Sequence, residues 1–136
     1  MALADIFGEV IAAYSRTDAI ADGALIDVTE AAAARGFKVP VALTRAVYAD
    51  CVQWTAADTE RKKLYQQEDG RLADVLSMAR IAIRTNHRDV QRVVFRVCRV
   101  PNAGKSRDAQ TIKLAMTIGP GDDLEPVITI MRPEED

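Results

Sequence analysis

The chain has 136 residues, 49% of them apolar and 28% charged, with a formal net charge of −2. That length and balance fit one globular unit, expected over 1–136, with a core of its own. They exclude an all-over nucleic-acid binder and an all-over acidic mimic.

In chain order, residues Leu3 to Tyr14 place Ile6, Phe7, Val10, Ile11 and Tyr14 at helical spacing, which predicts a first amphipathic helix. The run has no basic leader and carries Asp5 and Glu9, so it is not read as a signal peptide. Thr17 is the predicted cap of a short turn that Gly23 ends. "ALIDV" reads as a short extended segment. "TEAAAARGF" reads as a helix with Thr29 as N-cap, Glu30 in the first turn and Gly36 at its left-handed end. A longer helix is predicted from near Pro40, with Leu43, Val47, Cys51 and Trp54 on one face. "TAADTERKKLYQQEDG" reads as loop and exposed helix ending at Gly70. The clearest helix is "RLADVLSMARIAIRT". Its buried stripe is Leu72, Val75, Leu76, Ala79 and Ile83, with Met78, Ile81 and Ala82 on the far side as a second packing face or a homodimer contact.

After "NHRD" the period changes from about 3.6 to 2. "VQRVVFRVCRV", "TIKLAMTI" and "PVITIM" read as three strands. In the second, Ile112, Leu114, Met116 and Ile118 alternate with Thr111, Lys113, Ala115 and Thr117. In the third, Ile128 and Ile130 point inward. In the turn before it, Pro120 is expected to fix φ and Gly121 to take a positive φ. The expected class is α+β, with N-terminal helices packed on one face of a C-terminal three- to four-stranded antiparallel meander.

Charge is segregated. Residues 80–113 hold nine basic and two acidic side chains, and residues 119–136 hold six acidic and one basic. Arg80, Arg84 and Arg88 at four-residue spacing make a helical stripe. Arg92 and Arg96 continue it onto a strand, and Lys105 and Arg107 extend it into a loop. This set is the candidate nucleic-acid surface. The competing reading has the arginines crossing the sheet to meet acids of the C-terminal region. The acidic set, Asp122, Asp123, Glu125, Glu134, Glu135 and Asp136, is the candidate protein-binding surface.

No catalytic residue is assigned. The one histidine, His87, has no nucleophile in motif context. Cys51 and Cys98 read as small apolar residues, and two thiols with no export signal lead to a cytoplasmic expectation. No metal and no cofactor is expected, because Cys/His clusters are missing and the acids of "GPGDDLE" lack the calcium-loop pattern. "NAGKS" has Arg99 where a phosphate loop needs its first glycine. No stretch approaches the roughly 20 apolar residues of a membrane span.

The runs "DIFGEVIAAYSRTDAIADGALIDVTEAAAARGFKVPVALTRAVYADCV", "GRLADVLSMARIA" and "GPGDDLEPVITIM" resemble a family of small uncharacterised proteins encoded on proteobacterial conjugative plasmids and mobile elements, a domain of unknown function. The resemblance covers nearly the whole chain and brings no catalytic residues with it. It implies a non-enzymatic binding protein that inhibits a host defence complex, of anti-CRISPR or antirestriction type, by covering a surface. The alternative is a nucleic-acid-binding accessory protein using the arginine set.

Overall fold

The computed structural model describes residues 14–86 and 91–135. The predicted first helix, His87, Arg88 and Asp136 therefore lie outside the described residues, apart from Tyr14 at the helix end. The first described helix, α1 (Arg16–Asp22), starts at Ser15. The Ser15 hydroxyl accepts from the Asp18 amide at 2.9 Å while Asp18 accepts from the Ser15 amide at 3.3 Å. That reciprocal cap satisfies two donors that the first turn would leave orphaned. Thr17 lies inside this helix and does not cap it; Gly23 ends it at φ 86°.

Strand β1 (Leu25–Asp27) leads into α2 (Thr29–Ala34) and then β2 (Val41–Thr44). Thr29 is the first residue of α2, not its cap. Its hydroxyl ties Asp27 to the Val41 amide, so it fastens β1 to β2. Gly36, at φ 97°, is the predicted left-handed end, and the Phe37 amide returns to Ala32 O.

Residues 41–44 correct the sequence reading. They form a strand, not the first turns of a helix. Val41, Ala42 and Leu43 are buried on both faces because β2 lies between β1 and β5. A fully buried strand reads as a continuous apolar run, without alternation. The helix starts only at α3 (Arg45–Val47), where Thr44 Oγ1 accepts from the Val47 amide at 3.3 Å. It widens at once into a π turn, Tyr48–Val52, closed by Gln53 N to Tyr48 O. Leu43, Val47, Cys51 and Trp54 are all buried as expected, but a strand, a helix, a π turn and a loop deliver them.

Helix α4 (Ala56–Lys62) is capped reciprocally by Thr55 and Asp58. Helix α5 (Glu68–Thr85) begins two residues before Gly70, so Gly70 does not end the preceding element. It buries Val75, Leu76, Ala79 and Ala82; Ala82 belongs to the core face, while Met78 and Ile81 stay exposed.

Strands β3 (Arg92–Arg99), β4 (Gln110–Pro120) and β5 (Pro126–Met131) pair antiparallel in chain order, but the expected three- to four-stranded meander is only part of the sheet. The whole sheet is larger, with five strands in the order β1-β2-β5-β4-β3. β2 runs parallel to β5 with Val41 opposite Ile128, so the sheet is mixed. Its helix-covered face carries Leu43, Ile128, Ile130, Met116, Leu114, Val93, Phe95 and Val97. Each such side chain contributes about 1.5–3 kcal/mol by leaving water. Ala115, Val127 and Met131 are also buried, so the far face is covered near its centre and the strict alternation expected for β4 fails there. The positive φ of the β4–β5 turn falls on Leu124, at 66°, and not on Gly121.

Candidate interaction surface

Strand β3 is an edge of the sheet. Val93, Phe95 and Val97 face α5 and are buried; Arg92, Val94, Arg96 and Cys98 alternate with them and are exposed on the opposite face. The Ile118 amide donates to Gln91 O at 2.9 Å. In an antiparallel ladder this makes the odd-numbered residues of β3 the ones that exchange hydrogen bonds with β4. The even-numbered residues then form the closer, non-hydrogen-bonded pairs, Arg96 with Lys113 and Val94 with Ala115. The Cys98 sulfur lies 3.2 Å from Thr111 Oγ1 in another such pair. Two cations therefore sit directly opposite each other, a pairing that costs stability. Arg92 extends the patch and donates to Pro133 O at 2.8 Å. Among the described residues, no carboxylate lies within 4 Å of Arg92, Arg96 or Lys113. Val94, 53% exposed, stands between the two arginines.

Among the described residues the arginines do not form one continuous stripe. Arg80 and Arg84 ride on α5, on the other side of the sheet from Arg92 and Arg96. Arg80 lies against Gly36, where an added Cβ would meet its Nε at 3.1 Å. Arg84 is exposed. Lys105 and Arg107 sit in the β3–β4 connection, where Arg107 donates to Lys63 O at 3.2 Å. Lys113 was missed as a candidate, because only the register with β3 places it beside Arg96.

The acidic candidates are divided between the two ends of β5. Asp122 accepts from the Arg16 amide at 2.9 Å, and from the Thr17 amide and hydroxyl at 3.0 and 2.7 Å. It serves the first turn of α1, and the Thr17 hydroxyl first, then the two amides, hold its carboxyl below its ordinary value. Glu125 accepts from the Asp123 amide at 3.2 Å. Glu135 accepts from Thr44 Oγ1 and from the Arg132 amide, both at 2.8 Å, which fastens the tail to β2. Asp123 and Glu134 are exposed.

A buried polar cluster around the π turn was not among the sequence expectations. Arg71 donates to Val52 O at 3.0 Å, Val100 O at 2.8 Å and Asp50 O at 3.3 Å, and its guanidinium lies 4.9 Å from the Trp54 ring centroid. Asn102 Nδ2 donates to Ala49 O at 2.7 Å and Gln53 O at 2.9 Å. These donors satisfy carbonyls that a helix end leaves unpaired. Arg99 grips Asp50 with Nε and Nη2 at 3.2 and 2.9 Å, and Arg132 approaches it at 3.5 Å. Lys62 donates to Pro101 O and Ser106 O, and Arg61 to Asn102 O. The cluster locks the β3–β4 connection onto α4 and the π turn. The available signal was Arg71 itself, in helical register with Val75, Ala79 and Ala82 on the apolar stripe.

An open recess of about 580 Å³ is lined by Trp54, Thr55, Thr59, Tyr65 and Glu68 among others. It gathers no nucleophile with a base. Burial, with Asp50 beside it, pushes the Cys51 thiol up to about 11. Among the described residues no group of His, Cys, Asp and Glu is disposed to hold a metal ion, and no helix is long and apolar enough to cross a membrane.

A mixed, mostly antiparallel five-stranded sheet with its helices toward the N-terminus and a basic strand pair at its edge defines an α+β protein with a charged surface as its most distinctive feature. The chain belongs to the Family of unknown function (DUF6573), whose model matches residues 4–136. No curated protein and no solved structure matches the chain.

Proposed function

We propose that this chain is a non-enzymatic binding protein that covers an acidic surface on a partner protein through the open face of β3 and β4. The observation that carries the reading is the Arg96–Lys113 pair, exposed and directly opposed. Such a pair weakens the free protein and gains its counter-charge on binding. The contact surface thus moves from the acidic set to the basic one, since Asp122, Glu125 and Glu135 are occupied within the fold.

A protein partner is favoured over nucleic acid for two reasons. Arg80 and Arg84 lie on the other side of the sheet from Arg92 and Arg96, so these four arginines do not line one phosphate track. Phe95, the one aromatic of the basic segment, is buried and offers no base-stacking platform. A host defence complex is the partner this reading names, on the strength of the resemblance to plasmid-encoded proteins alone.

The test is capture of a partner by the tagged chain, with nuclease present and at two salt concentrations. The expected result is a protein complex lost with Arg96→Glu and kept with Glu134→Lys. The opposite pattern overturns the reading. Capture that vanishes with nuclease transfers the surface to nucleic acid.

A further inference from the structure

We infer that the partner is held by strand addition, an extended acidic segment pairing with the outer edge of β3; this rests on the binding reading above and specifies its mode. Four observations converge on that edge. The ladder parity fixed by Ile118 N and Gln91 O directs the backbone N–H and C=O groups of Arg92, Val94, Arg96 and Cys98 away from β4. Among the described residues no other strand pairs there. An unpaired edge of this kind is a template for another strand.

The two faces beside the edge differ. On the open face stand Arg92, Arg96 and, one strand in, Lys113. Toward the helix side a notch of about 370 Å³ opens at the edge between α5 and β3, lined by Asp74, Ser77, Met78 and Val97 and bordered by Arg96 and Cys98. Met78, one of its lining residues, is 38% exposed. An added strand sends alternate side chains to opposite faces. The segment that fits therefore alternates acidic residues, over Arg92 and Arg96, with apolar residues against Met78 and the notch. Charge complementarity decides the occupant. A second copy pairing β3 with β3 would bring four arginines onto one face and is disfavoured. An acidic segment neutralises them.

The test uses the intact chain and synthetic peptides as probes. One peptide has alternating Glu and Val over eight residues, the length of β3. A second has the same composition in block order, and further copies are N-methylated on one alternate set of residues or the other. The alternating peptide is expected to bind about tenfold more tightly than the block peptide. Methylation of one alternate set is expected to abolish binding and methylation of the other to spare it. Val94→Pro, which removes an outward-facing donor at an edge position that tolerates proline, is expected to abolish it as well. Because the methylated peptides probe the backbone without altering the chain, the test stands even if that variant folds poorly.

Equal binding by ordered, block and both methylated peptides overturns strand addition while leaving the basic face as an acidic-protein surface. No binding of any peptide, with no effect of Arg96→Glu on partner capture, overturns both. Binding of duplex DNA and of no peptide overturns the proposal in favour of nucleic acid.

Discussion

Arg99 on β3 grips Asp50 in the π turn with two nitrogens, at 2.9 and 3.2 Å, and joins two segments separated by 49 residues in sequence. Both side chains are largely buried, Arg132 approaches the same carboxylate at 3.5 Å, and Arg71 donates to the Asp50 backbone carbonyl at 3.3 Å. Asp50 is thus the counter-charge of Arg99, with Arg132 at its margin. Its removal leaves the Arg99 guanidinium buried without its counter-charge. Asp50→Ala is expected to cost about 3 kcal/mol. Urea denaturation of the two proteins measures this, and a loss well under 1 kcal/mol would show that the cluster is not held by Asp50.

The Arg96–Lys113 pair makes the opposite prediction. Lys113→Glu replaces a like-charge pair by an attractive one and is expected to raise stability by about 0.5 kcal/mol. The same change should weaken partner capture. Thermal melting together with the capture assay separates the two effects. A destabilised variant would mean that Lys113 has a favourable role in the free fold.

Asp122 gives an acid-sensitive contact. Its folded pKa is depressed below the ordinary 3.8, chiefly by the Thr17 hydroxyl and then by the Arg16 and Thr17 amides. A depressed carboxyl contributes stability that is present above the unfolded pKa and is lost as pH falls through the folded one. Melting temperature is expected to drop as pH is taken below about 4. Asp122→Asn should flatten that part of the profile. An unchanged acid limb in the variant would assign the loss to other carboxyls.

The two free thiols differ in accessibility. Cys51 is fully buried with its thiol pushed up to about 11, while Cys98 is exposed beside Thr111. A chromogenic thiol reagent at neutral pH should titrate one thiol promptly in the native protein and both after denaturation. Cys98→Ser should remove the prompt reaction. Two prompt thiols in the native state would mean that the π turn opens readily.

The sequence by itself determined the elements whose signals are local. The amphipathic period of α5, the alternation of β3, the Pro126 start of β5, the stop at Gly23 and the left-handed Gly36 all depend on a few adjacent residues, and all are found in the fold. So did the segregation of charge. Tertiary structure alone decided what rests on partners distant along the chain. Val41–Thr44 is a strand because β1 and β5 supply its hydrogen bonds from either side, and Pro40 ahead of it mimics a helix start. Burial of Ala115 and Met131 on the far face likewise has no local mark. The candidate surface shows the same division. Arg92 and Arg96 were legible, but Lys113 joined them, and Arg80 and Arg84 left them, only through strand register and the placing of α5. Asp122, Glu125 and Glu135 read as surface acids because the groups they bond cannot be seen in sequence. A side chain's charge is written in its residue type; whether that charge is spent inside the fold depends on which distant groups the chain brings beside it.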